Sequence, residues 1–62
     1  MTDTQTAIYG IIITLNDGYP TTEENNQRLL AIDWASIGIS ERDVKAAIRQ
    51  YEHNVGVTLA AA

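Results

Sequence analysis

The sequence predicts a small α+β domain of β-α-α order, lengthened to β-α-α-β if a short strand closes the chain. Three observations predict it. Residues 7–15 (AIYGIIITL) make a run of strand length dominated by β-branched and aromatic side chains. Two later segments open with helix-start signals, near Thr22 and at Ser40, and continue with apolar residues at helical spacing. Turn residues separate these segments: Asn16-Asp17-Gly18 after the first and Gly38 after the second.

The expected strand, 7–15, has Ala7, Tyr9, Ile11, Ile13 and Leu15 on one face and Ile8, Gly10, Ile12 and Thr14 on the other. Isoleucine on both faces is the pattern of a strand covered on both sides, or of one paired inside an interface. A hairpin return over 19–22 is restricted by Pro20 to a sheet edge. Residues 1–6 are polar and expected to fray. A single small domain is expected over 7–60, with 61–62 as a tail.

The first helix is expected from Thr21 or Thr22 to about Ile37. Thr21-x-x-Glu24 fits a capping box, Glu23 and Glu24 face the positive helix end, and Gly38 is the stop residue. At 100° per residue, Leu30, Trp34 and Ile37 share one flank, and Leu29 and Ile32 lie on another. The second helix has Ser40 as N-cap with Asp43 at N3, a variant capping box with a shorter acid, and an Ile39–Val44 hydrophobic staple. Val44, Ala47, Ile48, Tyr51 and Val55 form one apolar stripe, while Arg42, Lys45, Arg49 and His53 form an arc on the far side. Residues 57–60, after Gly56, are the candidate second strand.

Sixty-two residues with 45% apolar content and a net charge of −4 describe one acidic globular domain rather than a disordered tail. The absence of cysteine excludes a disulfide scaffold, a thiolate zinc site and a cysteine nucleophile. No segment has the length or apolarity of a membrane span, and MTDTQTA lacks the pattern of a signal peptide, so a soluble, cytoplasmic protein with no membrane role is expected. A chain this short buries only about 60% of its unfolded surface. A strand apolar on both faces and a helix apolar on two flanks exceed what two helices cover, so the domain is expected to be completed by a dimer or a partner.

Residues with chemical potential have plain structural explanations. His53 has no companion ligand, and Glu23 and Glu24 complement a helix dipole. Asp33 suits a salt bridge, with Arg28 as one partner, and Ser40 is a cap without a base nearby. Neither a phosphate-cradling glycine loop nor a metal-ligand spacing is present, so the expectation is no enzyme, no metal and no cofactor. The expected partner-binding residues are Ile8, Ile12, Leu29, Ile32 and Trp34. The leading expectation is a small regulatory, inhibitory or assembly factor, of the kind phages and mobile elements carry. It would bind a protein partner or itself through the strand and that side of the first helix.

Ile37, Gly38, Ile39, Ser40 and Val44 resemble the turn and second helix of helix-turn-helix DNA-binding proteins. The resemblance covers 15–20 residues. It implies that Arg42, Lys45 and Arg49, with Glu41 and Ala46, would face the major groove. The β-α-α order also resembles ribbon-helix-helix repressors, which are short obligate dimers, although the strand lacks the polar and basic side chains that read base edges. The alternative expectation is therefore a dimeric DNA-binding regulator that uses the basic face of the helix 40–55.

Overall fold

A computed structural model describes residues 1–56; the expected strand 57–60 and the tail 61–62 lie outside the described residues. The described chain is all helical: α1 Asp3–Asn16, α2 Glu23–Ala31, a 3₁₀ turn Trp34–Ile37, and α3 Glu41–Val55. There is no strand among the described residues, so the α+β class is corrected to all-α. The ribbon that the second resemblance requires is absent with it.

The segment 7–15 is helical for an identifiable reason. An isolated strand leaves a row of backbone N–H and C=O groups without partners, whereas a helix satisfies them within itself. β-propensity reflects packing on a sheet surface more than a backbone preference, and here there is no sheet to pack on. The helix is also started well. Thr2 and Gln5 form a reciprocal capping box, in which the Gln5 N–H donates to Thr2 Oγ1 at 3.1 Å and the Thr2 N–H donates to Gln5 Oε1 at 3.2 Å. Residues 3–6, expected to fray, are therefore the first turn of α1. Asp17 closes the helix in the left-handed region, φ 54°. The turn expected at 16–18 is thus a helix end rather than a hairpin.

The first expected helix is broken in two. Thr22 caps α2 by accepting from the Asn25 N–H at 3.1 Å, one residue later than the Thr21 capping box. After Ala31 the chain turns extended at Ile32. The indole N–H of Trp34 donates to the Leu29 carbonyl at 2.7 Å. In a continuous helix that carbonyl would take the Asp33 N–H, so the Trp34 side chain seals the end of α2. Gly38, with φ 78°, then ends the 3₁₀ turn as a stop residue.

The last helix spans the residues its sequence predicts, but Asp43 accepts from the Gln5 amide and no capping box with Ser40 forms. The Ser40 hydroxyl accepts from the Arg42 N–H at 3.2 Å. Val44, Ala47, Ile48 and Tyr51 are buried, and Ile39 and Val55 pack against the core they build. α1 makes the main packing contact with α3, and α2 packs more lightly on α3. Gln5 Nε2 donates to Asp43 Oδ1 at 3.0 Å near the start of both helices, and Asn54 Nδ2 donates to the Tyr9 hydroxyl at 3.1 Å further along both. α1 and α3 therefore run in the same sense.

Two polar links close the far end of the bundle. Buried Asn16 donates to the Ile12 carbonyl at 3.1 Å and accepts from Asn25 Nδ2 at 2.8 Å, joining α1 to α2. The Tyr51 hydroxyl donates to the Tyr19 carbonyl, joining α3 to the loop before α2. Tyr51 also meets Tyr9 edge-on, with ring centroids 5.5 Å apart. Burial, with Tyr9 and Asp17 nearby, pushes the Tyr51 phenol above its ordinary range.

Candidate interaction surfaces

α1 has no ionised side chain from Thr4 to Asn16. Its inner stripe, Ile8, Ile12 and Asn16, recurs every four residues and is buried. The outer side is built from two neighbouring rows of the same spacing. One row is Ala7, Ile11 and Leu15; the other is Thr6, Gly10 and Thr14. Ile11 is 47% exposed, Ile13 43% and Leu15 37%. Ala7, Gly10, Ile11, Thr14 and Leu15 line an open hollow of about 450 Å³. The Thr14 hydroxyl in that hollow donates to the Gly10 carbonyl at 3.0 Å, which leaves the hollow without a free side-chain donor. The result is an uncharged, largely apolar outer face on a helix whose inner face is already used.

A second apolar area lies where α2, the 3₁₀ turn and α3 meet. Leu30, Ile32, Trp34 and Ile39 line a hollow of about 260 Å³, with Asp33 and Glu41 as its acidic walls. Asp33 does not pair with Arg28, because Arg28 reaches Glu24 at 2.9 Å within α2. Ile37, also at this corner, is exposed.

The third surface is the outer side of α3. Arg42, Lys45 and Arg49 are all exposed there, opposite the buried stripe. Lys45 pairs with Glu41 at 3.2 Å, and among the described residues Arg42 and Arg49 form no ion pair.

The five residues expected to contact a partner divide four to one. Ile8, Ile12, Leu29 and Trp34 are core residues, covered by the chain's own helices, and Ile32 is exposed. The reason follows from the fold. Ile8 and Ile12, one face of the expected strand, are also four residues apart, which makes them the inner stripe of a helix. The exposed aliphatics of α1 are instead Ile11, Ile13 and Leu15, which a helical reading of the same nine residues would have placed outside.

His53 lies exposed near the end of α3, Glu23 and Glu24 stand in the first turn of α2, and Ser40 serves as a cap. Among the described residues no group of three or more His, Asp and Glu side chains gathers where a metal could be held. No helix among them is long and apolar enough to cross a membrane. No family model, no curated protein and no solved structure matches the chain.

Proposed function

We propose that this is a small, non-catalytic interaction protein whose contact surface is the outer face of α1. One observation carries the reading: thirteen consecutive uncharged residues, Thr4 to Asn16, in a helix buried on one side only, with Ile11, Ile13 and Leu15 left between a third and a half open. A helix apolar around most of its circumference is at home in a larger core than three short helices supply. The centres of protein interfaces are likewise depleted of charge. Each square ångström of apolar surface covered there contributes about 25 cal/mol. A photo-reactive residue at position 14, inside the hollow, tests the reading against the same residue at position 49 on α3. Position 14 is expected to cross-link to protein strongly and position 49 weakly. Equal yields from the two positions would remove the reading.

A second reading has its own support. Arg42, Lys45 and Arg49 project from one exposed side of α3, downstream of the Gly38–Ser40 corner that carries the helix-turn-helix resemblance. In this reading the protein regulates transcription by laying α3 on DNA phosphates. Several such contacts make affinity fall steeply between low and physiological salt. Binding to a duplex, followed by fluorescence anisotropy across that range, is expected to weaken with salt and further with Lys45→Ala and Arg49→Ala. Affinity indifferent to both substitutions rules this reading out.

A further inference from the structure

We infer that the occupant of α1's outer face is a second copy of this chain, seated by interlocking the row Ala7, Ile11 and Leu15 with the groove along Gly10 of its twin. The inference rests on the docking reading above and adds its partner. The first argument is charge. The chain carries −4, so most pairs of surfaces on two copies would bring carboxylates together. The outer face of α1 contains no ionised group, and two copies meet there without desolvating or opposing any charge. For the same reason the face offers nothing to a basic or an acidic partner, whose charge would find no counterpart.

The second argument is shape. The helix holds both halves of a ridge-and-groove contact: Ile11 stands in the large row, and the adjacent row, Thr6, Gly10 and Thr14, is small. Rows spaced by four interlock at a crossing angle of about −50°. With the crossing point near Gly10 and Ile11, that angle carries the helix ends, and with them Asp3 and Asp17, away from the contact.

The third argument is Gly10 itself. Glycine in mid-helix is less favourable than alanine. Among the described residues of one copy nothing calls for it, since a Cβ built at Gly10 meets no atom within 4 Å. A second helix crossing at that point supplies the close approach that a Cβ would block. The face of a helix about 21 Å long covers less than the roughly 1,600 Å² of a standard interface, so the dimer is reversible rather than permanent.

Sedimentation equilibrium of the full chain from about 5 μM to about 500 μM tests this, a range in which small interfaces assemble. The mass is expected to climb from 6.8 kDa toward twice that value. Gly10→Leu, which fills the groove with a strong helix former, and Ile11→Glu are expected to weaken the dimer about tenfold or more with the helical circular dichroism unchanged. Arg49→Glu on α3 is expected to dimerise like the parent. A parent chain that stays monomeric throughout overturns the inference, as does a dimer indifferent to both α1 substitutions. Cross-linking from position 14 separates this failure from that of the broader reading. A product joining two copies supports the second-copy contact. A product only with a different protein overturns that contact and leaves α1 as a docking face. Cross-links confined to one chain, or none, overturn both.

Discussion

α1 and α3 are of nearly equal length and pack on each other, yet they are built on different plans. α3 is sharply two-sided. Its stripe of Val44, Ala47, Ile48 and Tyr51 is buried, and its other side carries Arg42, Lys45 and Arg49. The fold of a single copy explains every apolar residue on it. α1 buries Ile8 and Ile12 in the same manner, but its outer side repeats the aliphatic character of its inner side. Among the described residues, packing accounts for the inner side of α1 and leaves Ile11, Ile13 and Leu15 exposed on the other. The proposed contact rests on this difference, because α1 is the helix with exposed aliphatic side chains on its outer side.

The sharpest test of that division uses neighbouring isoleucines. Ile12 is fully buried and Ile11 is 47% exposed. Ile12→Ala leaves a cavity between α1 and α3 and is expected to cost about 3 kcal/mol, a large part of the stability available to so small a domain. Ile11→Ala is expected to cost well under about 1 kcal/mol in the monomer. Urea unfolding at low micromolar concentration measures both. Similar losses at the two positions would mean that α1 has no spare face.

A pH titration probes the inner side. The Tyr51 phenol is raised above its ordinary value near 10 by burial and by Tyr9 and Asp17. The folded state therefore holds this proton more tightly than the unfolded chain does. That contribution is complete below about pH 10 and disappears as pH rises through the folded value. Thermal stability is expected to drop above pH 10. Tyr51→Phe, which also loses the bond to the Tyr19 carbonyl at a cost of about 1 kcal/mol, is expected to show a shallower drop.

The two helix starts compare at a similar scale. Ser40→Ala and Thr2→Ala each remove a cap and are expected to cost about 1 kcal/mol. Thr2→Ala is of particular interest, because the capping box Thr2-x-x-Gln5 stands in the sequence as plainly as the signals around Ser40. The N-cap of α3 and its stripe were readable because each is a local pattern satisfied within a few residues. α1 misleads because a short, β-branched apolar run is common to a buried strand and a buried helix, and its box lies in a polar segment expected to fray. The break after Ala31 was beyond local reading, since it depends on the Trp34 indole reaching the Leu29 carbonyl. The consequences for the contact surface follow from the period. A spacing of two put Ile8 and Ile12 on a candidate surface, while a spacing of 3.6 buries them and exposes Ile11 and Leu15. The basic side of α3 was read correctly as an exposed arc, because a helix was correctly expected there.

The smallest expected effect distinguishes a glycine kept for folding from one kept for contact. Gly10 sits in mid-helix with no left-handed backbone to excuse it and no neighbour to crowd a methyl group. Alanine there narrows the unfolded ensemble and favours the helix, so Gly10→Ala is expected to raise the stability of the monomer by roughly 0.5–1 kcal/mol. Thermal unfolding at a concentration too low for association reads this directly. A destabilised Gly10→Ala monomer would mean that the fold itself needs glycine at this position. A stabilised one would mean that the natural sequence gives up stability at the centre of an exposed, uncharged helical face, where a crossing backbone is the proposed use for the missing side chain.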